Sequence, residues 1–179
     1  TAPETDRPWD LTAAVGTPLY IHVPFCEAKC PYCDFFSVAG EGQDIEGSLE
    51  GLLTELERRA PDRPRTIFIG GGTPSWLTIA QLTRLLDTLH EQTGFRDATA
   101  EVTIECNPES LDAEKARALV ELGATRLSIG FQSLRPETLK LFGRVHRVEE
   151  SFEAYEAARA AGPRGVSIDL IFGAAGQTP

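Results

Sequence analysis

A regular alternation of short apolar segments with longer amphipathic segments is the feature of this sequence that most constrains its fold. Strand-like apolar segments lie at 19–23, 66–69, 101–105, 126–130 and 166–172. The stretches between them carry apolar residues at helical spacing, at 45–60, 78–89, 112–122 and in two helices that begin at Pro136 and Glu149. Helical crossovers make consecutive strands parallel and their connections right-handed. The sequence therefore predicts an α/β fold with a parallel sheet, either a barrel or an open doubly wound sheet.

Polar residues and glycines mark the carboxyl end of each predicted strand. A cysteine-rich segment follows the first strand, three glycines and a threonine at 70–73 follow the second, and Glu105 ends the third. Gln132 follows the fourth strand, and Asp169 lies within the fifth. The carboxyl ends of parallel strands meet at one edge of such a sheet, and ligands bind there. These residues therefore predict one shared site.

Cys26, Cys30 and Cys33 lie within eight residues of one another. That spacing is too close and too uneven for a disulfide framework, so it favours a metal or cluster site. A structural zinc site needs four protein ligands, and no fourth cysteine or histidine follows nearby. Three thiolates suit an iron–sulfur cluster with one iron left open, because such clusters select thiolate ligands. Zinc or purely structural cysteines remain the alternatives, and Cys106 is expected to be a small buried residue without a role.

The charge and hydropathy of the chain exclude two classes of partner. Its 179 residues include 17 basic and 27 acidic side chains, a net charge of −10, with no run rich in Lys or Arg. Such a surface does not neutralise phosphates, so nucleic acid and anionic membranes are not expected partners. No segment approaches the roughly 18 consecutive apolar residues of a membrane span, and the first residues do not resemble a signal peptide. We therefore predict a cytoplasmic protein that does not insert into membranes.

Six motifs in order connect the chain to a known superfamily. The pattern Cys-x-x-x-Cys-x-x-Cys at 26–33, with Tyr32 before its last cysteine, resembles that of the radical S-adenosylmethionine superfamily. More closely, the six motifs are similar to those of the oxygen-independent coproporphyrinogen III oxidases and their haem-chaperone relatives. They read LYIHVPFC at 19–26, IFIGGGTP at 67–74, ECNP at 105–108, SIGFQS at 128–133, FGRVH at 142–146 and IDLIFG at 168–173. The resemblance covers residues 19–179.

The resemblance implies a fold and a domain division. The fold is a partial (βα)6 barrel, the three-quarter TIM-like barrel of this superfamily, with parallel strands of which about five are present. The chain divides into an irregular N-terminal lead-in at 1–18 and an incomplete core domain at 19–179. The C-terminal domain of the family is expected to be absent from this sequence.

The resemblance also implies two cofactors. Cys26, Cys30 and Cys33 match the positions that hold a [4Fe–4S] cluster, whose open iron binds S-adenosylmethionine. An electron from the reduced cluster then splits this sulfonium into methionine and a 5′-deoxyadenosyl radical, chemistry that belongs to the cofactor. The positions that match contacts to S-adenosylmethionine are Tyr20, Tyr32, Gly71, Gly72, Thr73, Glu105, Gln132, Arg144 and Asp169.

Each of these residue types suits a polar ligand, and each has a structural alternative. Bare backbone at 70–72 lets a ligand approach closely, whereas a tight turn needs the same glycines. Glu105 can accept from ribose hydroxyls or an ammonium, and the Arg144 guanidinium is a planar fork suited to a carboxylate. A solvated charge is the alternative for both, and core packing is the alternative for the tyrosines. For His22, a position next to the cluster and a purely structural role in the strand are equally consistent with the sequence. No residue is assigned a catalytic role.

One position separates two functions within the family. The oxidases carry a fourth cysteine two residues after the third, whereas this sequence has Phe35 there. The resemblance is therefore closer to the haem chaperones, which bind haem and hand it to apo-haemoproteins, and decarboxylation of a porphyrinogen is disfavoured. The haem motif of the chaperones lies downstream of the region covered, so the haem site is expected outside these residues. A plain module that binds S-adenosylmethionine or a metal is the third possibility.

Overall fold

The computed structural model of the chain describes residues 16–177, so most of the predicted lead-in at 1–18 lies outside the described residues. The strands are β1 (Leu19–Val23), β2 (Phe25–Cys26), β3 (Val38–Ala39), β4 (Thr66–Gly71), β5 (Glu101–Cys106), β6 (Arg126–Gln132) and β7 (Gly165–Leu170). The helices are α1 (Ile45–Arg59), α2 (Ile79–Thr93), α3 (Phe95–Ala98), α4 (Ala113–Glu121), α5 (Pro136–Leu141) and α6 (Val148–Ala161). Short 3-10 turns follow β4 and β5, at Pro74–Trp76 and Pro108–Ser110. Within this range, no helix has the length and apolar character needed to cross a membrane.

Five of the strands form one parallel sheet in the order β1-β4-β5-β6-β7. Their spatial order follows their order in the chain, and the described strands show no reversal of the kind that defines a doubly wound sheet. Of the two architectures that the sequence leaves open, the structure therefore has the barrel type. The prediction of a partial parallel α/β barrel with about five strands is confirmed.

Side chains along these strands alternate between a helix-covered face and an open face. Ile67 and Ile69 of β4 lie in the buried core, whereas Phe68 between them lines a cavity. In the same way, Ile104 of β5 is buried in the core and Glu105 lines the cavity. On the outer face, α1 packs against α2 and α4 packs against α6. The predicted stripe of α2 is part of the core through Leu82, Leu85, Leu86 and Leu89.

Four strands end at residues other than those predicted, and of these β5 differs least, ending at Cys106 rather than at 105. β4 and β6 each continue two residues beyond the predicted end, because the neighbouring strands still pair with them there. The glycines at 70 and 71 therefore belong to a strand rather than to a loop. β7 ends at Leu170 and not at 172, because its pairing partner β6 ends at Gln132. Phe172, beyond that end, is 93% exposed.

A second, two-stranded parallel sheet pairs β2 with β3. The sequence patterns do not predict it, because strands of two residues are too short to show a hydrophobic period. Val38 donates its N–H to the carbonyl of Pro24 at 2.9 Å, and Gly40 donates to the carbonyl of Cys26 at 2.9 Å. This pairing holds together the two ends of the cysteine-rich segment, which we call the cysteine loop (residues 26–37).

The N-terminus of α2 has the capping box that its sequence predicts. Thr78 Oγ1 accepts from the N–H of Gln81 at 3.2 Å, and Gln81 Oε1 accepts from the N–H of Thr78 at 3.0 Å. We expect Thr78→Ala to lower the free energy of unfolding by about 1 kcal/mol, because a helix N–H loses its partner. Urea unfolding would measure the loss. Thr54→Ala, the same change at an exposed position within α1, should cost nothing, and an equal loss in both variants would contradict the capping role.

Candidate functional site

The carboxyl ends of the sheet strands and the cysteine loop enclose a cavity of about 470 Å³. Almost every site residue predicted from the sequence lines it. The members of that set at its wall are Cys26, Cys30, Tyr32, Cys33, Gly71, Gly72, Thr73, Glu105, Gln132, Arg144 and Asp169. Tyr20 is not part of the lining. The fold therefore brings together residues from six separate parts of the sequence, five of which the strand-end pattern predicts, while the role of each remains a prediction.

The cysteine loop is held in place by contacts that do not use its thiols. Lys29 Nζ donates to the carbonyl of Phe35 at 2.5 Å and to Ser37 Oγ at 3.0 Å. From outside the loop, Trp76 Nε1 donates to a carboxylate oxygen of Glu27 at 2.8 Å. All three loop cysteines are free and half-buried. The loop is therefore a formed structure that presents three available thiols to one cavity.

His22 of β1 fastens the same loop to the sheet. Its Nε2 lies 2.7 Å from the carbonyl oxygen of Phe36, and because a carbonyl only accepts, Nε2 carries the hydrogen. Its Nδ1 is then an acceptor for the hydroxyl of Tyr20 at 3.1 Å. Tyr20 itself is 55% exposed and stacks on Phe68, with ring centroids 6.1 Å apart. Both ring nitrogens of His22 thus have hydrogen-bond partners within the protein. Tyr20 hydrogen-bonds this histidine and is not part of the cavity lining.

The three loop thiols line one cavity. A structural zinc site is closed by four protein ligands, whereas three thiolates leave one iron of a [4Fe–4S] cluster open. The donor set therefore suits a cluster better than a structural zinc ion.

The glycines at 70–72 allow close packing at the sheet edge. A Cβ on Gly71, where φ is +107°, would lie 2.5 Å from the ring of His22, and one on Gly72 would lie 2.6 Å from the carbonyl oxygen of Phe25. The N–H of Gly71 donates to a carboxylate oxygen of Glu105 at 3.0 Å, and that of Gly72 donates to the carbonyl of Val23 at 2.7 Å. The need for close packing alone accounts for these glycines, so their contact with a ligand stays a prediction.

Two carboxylates give the cavity a negative side. Glu105 is partly buried, and burial together with the charge of Asp169 raises its pKa, against the opposing effects of the Gly71 N–H and of His22. Asp169 on β7 accepts from Ser128 Oγ at 3.1 Å. Because two anions share one cavity, the arrangement favours a ligand with a cationic group on this side.

Gln132 stands at the cavity wall in a strained conformation. Its φ is +61°, in the left-handed region, and it lies at a β-bulge between β6 and β7. The N–H of Ile171 donates to its carbonyl at 2.9 Å, which fixes the bulge. Left-handed backbone at a residue other than glycine costs about 1–2 kcal/mol and is concentrated at functional sites. The sequence predicts this position but not its strain.

Arg144 brings a cationic group to the cavity, next to a thiol. Its Nη1 donates to Cys30 Sγ at 3.6 Å, and its Nε is buried without a hydrogen-bond partner in the described part of the chain. An unpaired buried N–H is costly, so a guanidinium in this state fits an anionic group brought by a ligand. Tyr32 lies beside it, and burial and the Cys30 thiol raise the pKa of Tyr32 to about 12, against the opposing charge of Arg144. The Tyr32 hydroxyl therefore stays protonated.

Several cavity residues escape the sequence patterns. Asn107 Nδ2 donates to the buried Thr73 Oγ1 at 2.8 Å, so the threonine hydroxyl is oriented by an amide from the next strand end. Arg126 and Ser128 also line the cavity. Their alternate positions on β6, on the same face as Gly130, are the signal that could reveal them. Cys106 behaves as predicted, because it is buried and burial raises its pKa to about 12.

Comparisons with known proteins show the family of the chain. A family model described as the radical SAM superfamily matches residues 20–179. The heme chaperone HemW of Bacillus subtilis is 40% identical over 164 residues, covering 89% of this chain and 43% of that protein. HemW of Escherichia coli K12 is 39% identical, again over 89% of this chain and 43% of the relative. The chain thus spans about two fifths of the length of these curated relatives.

Solved structures show the same fold. The Escherichia coli coproporphyrinogen III oxidase HemN, described as a radical SAM enzyme, aligns with a TM-score of 0.82 at 31% identity, over 92% of this chain and 39% of that one. The hydrogenase maturase HydG of Carboxydothermus hydrogenoformans aligns with a TM-score of 0.61 at 18% identity, over 88% of this chain and 37% of that one. The second likeness shows the fold alone.

Proposed function

Because the chain belongs to the radical SAM superfamily, we propose that it binds a [4Fe–4S] cluster and S-adenosylmethionine in the cavity at the strand ends and acts as a haem chaperone. Membership of the superfamily implies both cofactors. The single observation that carries the proposal is the set of three free thiols in the lining of one cavity, together with Glu105, Asp169 and Arg144. When bound, the cluster and S-adenosylmethionine supply reductive radical chemistry.

In the proposed site, different residues would hold the cluster and contact S-adenosylmethionine. Cys26, Cys30 and Cys33 would hold the cluster. The cationic Arg144 would bind the carboxylate of S-adenosylmethionine, and Glu105 with Asp169 would favour its cationic groups. Tyr32, Gln132 and Thr73 would complete the wall, and the glycine run would hold β4 against the cysteine loop.

Two observations favour a chaperone over an oxidase. The most similar curated relatives given above are named heme chaperones. Phe35, 67% exposed, lines the cavity at the position where the resemblance implies a fourth cysteine in the oxidases. We propose that haem is bound by residues outside the described range and passed to apo-haemoproteins. Free thiols at the site support a reducing compartment such as the cytoplasm.

The second candidate function is oxidation of a porphyrinogen such as coproporphyrinogen III. It is favoured by the likeness to HemN, at a TM-score of 0.82 and 31% identity. It ranks below the chaperone function because of Phe35.

The first experiment tests the cofactor site. The protein would be reconstituted anaerobically with iron and sulfide and reduced, and electron paramagnetic resonance spectra would be recorded with and without S-adenosylmethionine. We expect a reduced-cluster signal that changes on addition of S-adenosylmethionine, because the open iron takes a ligand. Stoichiometric zinc uptake without cluster assembly would contradict the proposal.

The second experiment separates the two functions in the full chain. Haem binding would be followed by its Soret absorbance, and transfer would be followed with apomyoglobin as the acceptor. In parallel, coproporphyrinogen III would be incubated with the reduced protein and S-adenosylmethionine, and the products separated by chromatography. Haem binding and transfer without decarboxylation is the expected result. Decarboxylation would favour the oxidase. If the protein neither binds haem nor decarboxylates the porphyrinogen, both functions are refuted.

A further inference from the structure

Three ionisable side chains, one of them the cavity-lining Arg144, are buried together, and we call them the Glu109 triad (Glu109, Arg144 and His146). Their side chains are 16%, 6% and 0% exposed, respectively. Glu109 lies in the 3-10 turn after β5, whereas Arg144 and His146 lie in the segment between α5 and α6. Only Arg144 is predicted from the sequence to belong to the site. Ionisable groups are rarely buried unless they are paired or functional, so this grouping requires an explanation.

One carboxylate oxygen is shared by an arginine and a histidine. Glu109 Oε2 lies 3.5 Å from Arg144 Nη2 and 3.2 Å from His146 Nδ1. The same His146 Nδ1 lies 3.4 Å from Arg144 Nη2. Protonated at Nδ1, the histidine donates to the carboxylate, and in the other tautomer Nδ1 accepts from the guanidinium. In either tautomer His146 restrains the guanidinium, directly or through the carboxylate.

The charges in the triad stabilise each other. Burial opposes ionisation of Glu109, but the His146 hydrogen bond and the Arg144 charge outweigh it, and the pKa of Glu109 lies below its usual value. Burial likewise opposes the charge of Arg144, but Glu109 and Cys30 hold the pKa of Arg144 above its usual value. Removing one member of such a buried pair leaves the other charge uncompensated, which is strongly unfavourable.

Two nitrogens of Arg144, Nη1 and Nε, do not contact Glu109. Its Nη1 contacts Cys30 Sγ at 3.6 Å, and its buried Nε has no partner within residues 16–177. Glu109 thus occupies Nη2, which leaves Nη1 beside the thiol and Nε without a protein partner in this part of the chain. A guanidinium held in this way is preorganised to take a carboxylate in a defined orientation.

We propose that Glu109 and His146 are positioning residues that hold the Arg144 guanidinium beside Cys30, ready to bind the carboxylate of S-adenosylmethionine. The inference rests on the proposed function, because it assigns the ligand of that same cavity. The inference adds Glu109 and His146 to the site. Neither lines the cavity, and both act through Arg144. Partners of this kind commonly change ligand affinity by 10-fold to 100-fold when they are removed.

A purely structural role makes a different prediction. If the triad only joined the turn after β5 to the segment before α6, its loss would lower stability and cluster content together. The affinity of cluster-loaded protein for S-adenosylmethionine would then stay constant. If the triad positions Arg144, the affinity itself must fall, and a substitute that keeps the donor at 146 must restore it.

The test uses reconstituted protein and measures the dissociation constant for S-adenosylmethionine from the change in the paramagnetic signal, normalised to bound iron. Glu109→Gln removes the charge with little change of shape, and we expect it to weaken binding about 10-fold while cluster content stays near that of the wild type. His146→Leu should have a comparable effect. His146→Asn, which keeps an N–H donor near the position of Nδ1, should bind within about threefold of the wild type.

Glu55→Gln provides the matched control. It removes a carboxylate from an exposed ion pair with Arg59, 3.0 Å apart on α1, and should leave the dissociation constant unchanged. Unchanged affinity in Glu109→Gln and His146→Leu would overturn the inference, as would loss of the folded protein or of the cluster in all triad variants. If the wild type assembles no cluster, or its paramagnetic signal does not change on addition of S-adenosylmethionine, the proposed function itself is refuted, and the inference is refuted with it.

Discussion

Cys30→Ser should abolish assembly of the cluster. Cys30 lies at the centre of the cysteine loop, and its thiol contacts Arg144 Nη1 at 3.6 Å at the cavity wall. A serine hydroxyl is a poor ligand for iron–sulfur clusters, which select thiolates, and two remaining thiols cannot replace three. We expect bound iron to fall to less than about a tenth of the wild-type value, with loss of the paramagnetic signal. Iron analysis and spectra of reconstituted protein measure both.

Cys106→Ala is the matched control for that substitution. Cys106 is also a free cysteine at the cavity, but it is buried and its pKa is raised to about 12, so its thiol stays protonated. Cluster content of this variant should equal that of the wild type. Equal loss of iron in both variants would mean that the site does not depend on the three-cysteine set, and full retention in Cys30→Ser would exclude Cys30 as a ligand.

Gly72→Ala is expected to have the largest effect on stability. The added Cβ would lie 2.6 Å from the carbonyl oxygen and 2.8 Å from the nitrogen of Phe25, both backbone atoms. No side-chain rotation can relieve this overlap, so β2 must move away from β4. We expect a loss of about 3 kcal/mol in the free energy of unfolding, the upper end for overpacking. Because β2 includes Cys26, cluster content should fall as well.

Gly51→Ala shows the opposite sign for the same chemical change. Gly51 lies in α1, and a Cβ there would meet nothing within 4 Å among the described residues. Replacing a helix glycine by alanine stabilises by about 0.5–1 kcal/mol, because the unfolded chain loses freedom and the helix gains propensity. Urea unfolding of both variants tests the pair. Equal stability of Gly72→Ala and the wild type would contradict the close packing described for β2.

The sheet could be predicted from the sequence because its signals are local. An apolar run followed by an amphipathic stretch specifies a strand and a crossover helix, and five such units determine parallel order. Strand ends are less predictable, since β7 ends at Leu170 only because its neighbour ends at Gln132. The β2–β3 pair has no periodic signal at all. Its existence depends on hydrogen bonds between residues twelve or more positions apart.

Much of the candidate site could also be predicted, because parallel strands bring their carboxyl ends to one edge. What the patterns miss are contacts made across the chain. Glu109 and His146 are 37 residues apart, and neither has a local signature that pairs it with Arg144. The left-handed conformation of Gln132 follows from a bulge that depends on the register of two strands. The hydrogen bonds from Tyr20 to His22 and from His22 to the carbonyl of Phe36 likewise join residues that no local pattern connects.

The cysteine loop is fastened by groups other than its thiols. Lys29, His22 and Trp76 hold it through a carbonyl, a hydroxyl or a carboxylate. The contacts that shape the loop are therefore separate from the thiols that would hold a cluster. Substitution of one thiol should remove a cluster ligand without detaching the loop from the sheet.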